Sequence, residues 1–311
     1  MGAFARDSRA AIVLLSEVAA MRFVKMHGLG NDYVFVDCFA QRLDEVDLAA
    51  LARRLSDRHR GVGGDGLILI GPSEQADVGM VIYNADGSRA EMCGNGIRCV
   101  AKYAYERGLV GRRIQEAPAQ RGRASMTVQT DAGVRAVEVL VGGDGKRVES
   151  VRVDMGRPKL EPSEIPTTLP GPVVVDRDVE ISGRRYRLTC VSLGNPHAVV
   201  FVDDVRAVAL AVEGPAIETA EIFPRRTNVH FVQVEARDEV TMVTWERGSG
   251  PTQACGTGAS AVCVAGSLTG RTVRQIRVNL PGGQLQIHWA DDEHVHMTGP
   301  AEEVFTGEWP V

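Results

Sequence analysis

The chain has 311 residues, enough at about 150 residues per domain for two domains that each bury a core. Apolar residues make up 44% and charged residues 24%, which excludes wholesale disorder and fibrous architectures. Lys and Arg number 35 against 40 Asp and Glu, a net charge of −5 with no basic block, so nucleic acid and anionic membrane are not expected as partners.

Residues 1–20 differ in character from the rest of the chain and read as an N-terminal extension ahead of a strand-like run, Met21 to Met26. Strands are then expected over Tyr33–Asp37, Leu67–Ile70, Gly79–Tyr83, Met126–Thr130, Val134–Leu140 and Val148–Asp154, from their β-branched content and alternation. Between them, Asp44–Asp57 sets Leu48, Leu51, Ala52 and Leu55 on one helical face. A second helix is expected to open after Gly96, with Ile97, Val100, Ala101 and Ala104 sharing a face and Gly108 as the stop. Five prolines between Pro158 and Pro172 mark a loop. Further strands are expected over Tyr186–Val191, Ala198–Val202, Asn228–Val234, Glu239–Trp245, Thr272–Val278, Leu285–Trp289 and His294–Thr298. Ala259–Leu268, small and apolar all round, reads as a buried helix.

A signature recurs about half the chain apart: Met92-Cys-Gly-Asn-Gly96 precedes the first buried helix and Ala254-Cys-Gly-Thr-Gly258 the second. A cysteine at a helix start lies near the unpaired first-turn N–H groups, which are expected to lower its pKa from about 8.5. The glycines let backbone amides approach an anion. Two such thiols facing each other across a cleft could remove a proton from one face of a carbon and deliver one to the other, the chemistry of a racemase. The other cysteines, Cys38, Cys99, Cys190 and Cys263, carry no motif. With no C-x-x-C spacing in the chain, neither a disulfide framework nor a structural zinc is expected. Because Ala10 to Leu15 is too short an apolar run to span a bilayer, the chain is read as cytoplasmic.

Seven blocks carry a resemblance: Lys25 to Tyr33, Asp57 to Asp65, Asn84 to Ser88, Glu91 to Gly96, Gly194 to His197, Arg226 to Asn228, and Trp245 to Gly248 with Ala254 to Gly258. Together, and in this order, they resemble the diaminopimelate epimerases. The resemblance implies an α/β (α+β) fold of two similar domains, each a highly curved, mostly antiparallel sheet around a central helix, with the active site in the cleft between them. The expected division is 21–137 with 301–311, and 138–300. It implies interconversion of LL- and meso-diaminopimelate, for lysine and peptidoglycan synthesis, by a homodimer that uses no pyridoxal phosphate, other cofactor or metal. Carried over by position, Cys93 and Cys255 are the acid/base pair, and His197 and Glu246 tune them. The backbone at Gly94, Asn95, Gly256 and Thr257 holds the reacting carboxylate. Asn31, Asn84, Asn195, Asn228, Glu246 and Arg247 contact substrate, with Arg247 suited to a bidentate carboxylate clamp. One position departs: many relatives carry a substrate-contacting glutamine where this chain has Gly66. Asp65 is expected only to brace its glycine turn. A proline-racemase-like enzyme would share the two thiols without needing the distal polar set, and a non-catalytic thiol switch would not need Arg247.

Overall fold

The protein, seen in a computed structural model, is described over residues 20–110 and 122–310; the expected extension lies outside these but for Ala20, which opens the first strand. The first half runs β1 (Ala20–Gly28), β2 (Asn31–Asp37), α1 (Leu48–Ser56), β3 (Gly66–Gly71), β4 (Val78–Asn84), β5 (Arg89–Ala90), α2 (Gly94–Glu106), β6 (Arg123–Thr130), β7 (Gly133–Val141) and β8 (Val148–Asp154). The second runs β9 (Arg177–Ile181), β10 (Arg184–Ser192), β11 (Pro196–Phe201), α3 (Leu210–Glu218), β12 (Asn228–Ala236), β13 (Glu239–Glu246), β14 (Gly250–Thr252), α4 (Gly256–Leu268), β15 (Gln275–Leu280), β16 (Gly283–Trp289) and β17 (Val295–Gly299). β18 (Glu302–Pro310) comes last.

Strand pairing repeats the plan twice. β2 and β3 pair in parallel across α1, and β4 and β6 across α2; β11 and β12 do so across α3, and β13 and β15 across α4. A parallel pair needs a crossover, and a helix supplies each one. The remaining pairings are antiparallel. β8 pairs with β17 and joins the two halves into one continuous sheet, while β18 returns to β1 as β9 lies on β10. One continuous core holds Ile97, Val100 and Ala104 of α2 together with Ala261, Val262 and Ala265 of α4. α1 covers a second cluster through Leu51 and Leu55, and α3 a third through Ile217.

Four helices depart from expectation. α1 starts at Leu48, not near Asp44, because the Asp47 side chain accepts the Ala50 N–H at 3.0 Å and caps it. α2 and α4 start at Gly94 and Gly256, earlier than their apolar periodicity, because glycine adds nothing to a periodic pattern. α3 gives little helical signal: it is apolar without a polar face, and Pro215 within it lacks the N–H for the backbone ladder.

Candidate active site

Each central helix starts at a cysteine in extended conformation, Cys93 at φ −136°, ψ 113° and Cys255 at φ −125°, ψ 105°. The Cys93 sulfur takes the place of a capping oxygen and accepts the Gly96 N–H at 3.3 Å. Glycine two residues into each helix is required by close packing: a Cβ on Gly96 would stand 2.6 Å from Ile68 Cδ1, and one on Gly258 2.3 Å from His230 Cε1. The two helix starts touch, since a Cβ on Gly256 would lie 3.8 Å from the Gly94 Cα. The Asn95 and Gly96 amides aim at the Cys93 sulfur, and the Gly258 amide at that of Cys255. Among the described residues the amides of Gly94, Gly256 and Thr257 have no such partner.

Around Cys93 the polar groups come from the first half. Asn31 is held by its Nδ2, which donates to Asp65 Oδ2 at 2.7 Å; its Oδ1 faces the Cys93 sulfur at 3.4 Å and Asn95 Nδ2 at 3.2 Å. The Tyr33 hydroxyl hydrogen-bonds to the same sulfur. Asp65 also takes the Asp32 N–H at 3.0 Å and an Arg58 N–H at 2.9 Å, so it fixes Asn31 rather than merely bracing a turn. Asn95 Nδ2 donates onward to the Ala254 carbonyl at 3.1 Å and ties the two cysteine loops together.

Around Cys255 they come from the second half. Thr257 Oγ1 lies 3.6 Å from the sulfur and accepts from Asn195 Nδ2 at 3.3 Å. Asn195 Oδ1 meets His197 Nε2 at 2.9 Å, His197 Nδ1 meets His230 Nε2 at 2.9 Å, and His230 Nδ1 meets Thr244 Oγ1 at 3.0 Å. Glu246 hydrogen-bonds to the Cys255 thiol and accepts from Thr252 Oγ1 at 2.6 Å.

The remaining expected contacts sit further out. Asn228 is buried and spends both ends of its amide on backbone, Nδ2 donating to the Pro196 carbonyl at 2.8 Å and Oδ1 accepting the Arg247 N–H at 3.0 Å. It therefore positions the Arg247 turn. Glu218 of α3 fixes that turn from behind, accepting from Trp245 Nε1 at 2.7 Å and Gly248 N at 2.9 Å. Arg247 itself is exposed and donates to the Arg225 carbonyl at 3.2 Å; no carboxylate among the described residues pairs with it. Asn84 donates to Ser88 Oγ at 3.0 Å within its own turn and joins no other expected site residue by a hydrogen bond. Gly66 lies opposite Asn84 in the β3–β4 register, and a Cβ there would meet the Tyr83 carbonyl at 2.1 Å. The glutamine of many relatives has no room at this position.

The expected lowering of the thiol pKa is overturned. Burial raises the Cys93 thiol, and the Glu246 carboxylate adds to the rise; the Gly96 and Asn95 amides and the Tyr33 hydroxyl only partly offset it. Burial and then Glu246 push Cys255 well above 9, against the pull of Thr257 and Gly258. A few oriented amides do not outweigh the cost of a charge away from water. Burial also raises Glu246, and it holds His197 well below the ordinary histidine range, helped by its neighbours His230 and Arg247. Tyr33, His230, Thr244 and Thr252 are not among the site residues expected from the sequence; the internal duplication, which sets Tyr33 at the register of His197, is the signal that could have found the first. No cluster of His, Cys, Asp or Glu among the described residues could hold a metal ion.

Two related halves, each with a helix buried against its strands, define a class of fold with solved members. One is a probable proline racemase from Agrobacterium radiobacter, similar at TM-score 0.65 and 17% identity over 92% of each chain, a likeness of fold alone. Sequence narrows this further. The family model described as diaminopimelate epimerase matches residues 23–161 and 189–304. The chain is 54% identical over 290 residues to the diaminopimelate epimerase of Pelotomaculum thermopropionicum, covering 93% of this chain and 99% of that one. It is 51% identical over 293 residues to that of Moorella thermoacetica, covering 94% and 100%. The chain belongs to the diaminopimelate epimerase family.

Proposed function

We propose that the protein interconverts LL- and meso-2,6-diaminopimelate, in lysine and peptidoglycan precursor synthesis, with Cys93 and Cys255 as its two acid/base groups. The observation that carries the reading is the pairing of two cap cysteines on helices whose first turns touch, within a chain of this family. One sulfur, as thiolate, takes the proton from the α-carbon; the other, as thiol, delivers one to the opposite face. Burial makes thiolate scarce but also makes it a stronger base, which suits a proton as weakly acidic as Cα–H. The first-turn amides of Gly94, Gly256 and Thr257 are free to hold the reacting carboxylate and take up the charge that develops on deprotonation. The Arg247 guanidinium, paired with no carboxylate among the described residues, suits the distal carboxylate, on a turn held by Asn228 and Glu218. Asn31 and Asn195 orient groups beside the two sulfurs, Asn84 contacts the substrate, Glu246 sets the charge around Cys255, and the neutral His197 tunes it through Asn195 and Thr257. We also propose that the enzyme works in the cytoplasm as a homodimer; among the described residues no helix is long and apolar enough to cross a membrane.

The test is incubation of the purified protein with LL-diaminopimelate followed by chiral analysis. Appearance of meso product is expected, with solvent deuterium at the inverted carbon when the reaction runs in deuterated water. No meso product would remove the assignment. The proline-racemase-like alternative does not account for the distal set around Arg247, and a thiol switch would not depend on it.

A further inference from the structure

His230 is fully buried in β12, has no part in the roles carried over from the family, and lies directly beneath Gly258. Its counterpart in the first half is Ile68. Ile68 pairs with Ile82 two residues along from the Gly66–Asn84 pair, as His230 pairs with Thr244 two residues along from the Asn228–Glu246 position, and Ile68 packs beneath Gly96 in the same way. Packing under the helix start is thus satisfied by an aliphatic side chain. A buried imidazole in that place needs hydrogen-bond partners on both nitrogens, and it has them, Thr244 on one side and His197 on the other.

The direction of the chain of bonds is set by counting protons. Both rings are neutral: burial lowers each, and among the described residues neither pairs with a carboxylate. Asn195 Oδ1 can only accept, so His197 donates from Nε2 and leaves Nδ1 bare. His230 must then donate to it from Nε2, and its own Nδ1 accepts from the Thr244 hydroxyl. At the other end, Asn195 Nδ2 occupies a lone pair of Thr257 Oγ1, so the Thr257 proton is free for the Cys255 sulfur at 3.6 Å. We propose that His230 is a positioning residue for Cys255: by donating to His197 it fixes the His197 tautomer and, through Asn195, commits the Thr257 hydroxyl to donate to the Cys255 thiolate. This rests on the two-thiol reading above.

The experiment has two arms. In the resting protein labelled with 15N-histidine, long-range proton–nitrogen correlation should find the protons of His197 and His230 on Nε2; a His197 proton on Nδ1 would mean the chain of bonds runs the other way and would overturn the proposal. In the second arm, H230I reproduces the packing of Ile68 but removes the donor. It should lower kcat about 10- to 100-fold with KM little changed, as loss of an orienting partner commonly does. H230Q, whose amide nitrogen can stand where Nε2 stood, should recover most of that loss. Wild-type kcat in H230I, or H230Q as poor as H230I, would refute the role. The first arm needs no turnover, so an absence of epimerisation by the wild-type protein would sink the functional reading without touching the tautomers.

Discussion

The two halves of this molecule keep the same backbone plan and the same cap cysteine, yet surround the sulfurs with different chemistry. By strand register, Asn31 and Tyr33 at the head of β2 correspond to Asn195 and His197 at the head of β11. Gly66 corresponds to Asn228, and Asn84 to Glu246. In the first half a tyrosine hydroxyl reaches the sulfur directly; in the second a histidine acts at a distance through Asn195 and Thr257. Among the described residues only the second sulfur has a carboxylate hydrogen-bonded to it. A duplicated scaffold places two thiols symmetrically, and substitutions at corresponding register positions make them unequal. Inequality is useful where one sulfur must hold a proton while the other lacks one.

The largest expected effect tests what the halves share. Cys93→Ala and Cys255→Ala should each abolish epimerisation, a loss beyond the ~10²–10⁴-fold usual for one acid/base group, since both are obligatory here. The fold should persist, because each alanine only removes a sulfur at a helix cap. More than a few percent of wild-type activity in either variant would refute the two-thiol mechanism.

Next come positions where the halves differ. Arg247→Lys keeps the charge but cannot reproduce a planar two-bond clamp. KM for diaminopimelate should rise about 10- to 100-fold, the worth of a charge-assisted hydrogen bond or two. Unchanged kinetics would return Arg247 to a structural role and reopen the proline-racemase-like alternative. Gly66→Ala probes the opposite half, where the counterpart of Asn228 has no side chain. With Tyr83 O only 2.1 Å from the new Cβ, β3 and β4 must shift apart, and chemical denaturation should report a loss of about 1–3 kcal/mol. Wild-type stability would mean that this backbone accepts a side chain there.

Much of this was legible in the sequence because repetition is legible. The two C-G-x-G strings marked both buried helices to within three residues of their starts, and alternation marked strands such as Glu239–Glu246 within a residue. What escaped notice had a physical reason. β18 is an edge strand, charged and largely exposed, so it lacks the one-sided burial that produces alternation. α3 is hidden by Gly214, which leaves room for the Trp245 ring, and by Pro215. The parallel β2–β3 crossover through α1 implied a helix at that place in the second half. The thiol pKa was misjudged because a helix start is written in the sequence, whereas burial depends on strands far away along the chain.

The smallest effect separates the two thiols by their neighbours. A nearby negative charge disfavours thiolate, so Glu246 raises the Cys255 pKa, and its removal must lower it; a hydroxyl donating to a thiolate favours it, so loss of the Tyr33 hydroxyl must raise that of Cys93. The reaction needs one thiolate in the pair, and both thiols lie above 9, so kcat/KM of the wild-type protein should climb as pH rises from neutrality into the alkaline range. In Glu246→Gln that rise should move to lower pH, and in Tyr33→Phe to higher pH. Because the two thiols interact, each midpoint belongs to the pair, and the sign of its displacement is the informative quantity. Displacement of both variants in the same direction would mean that Glu246 and Tyr33 do not govern the thiols as their contacts indicate, and would leave the difference between the halves without a chemical consequence.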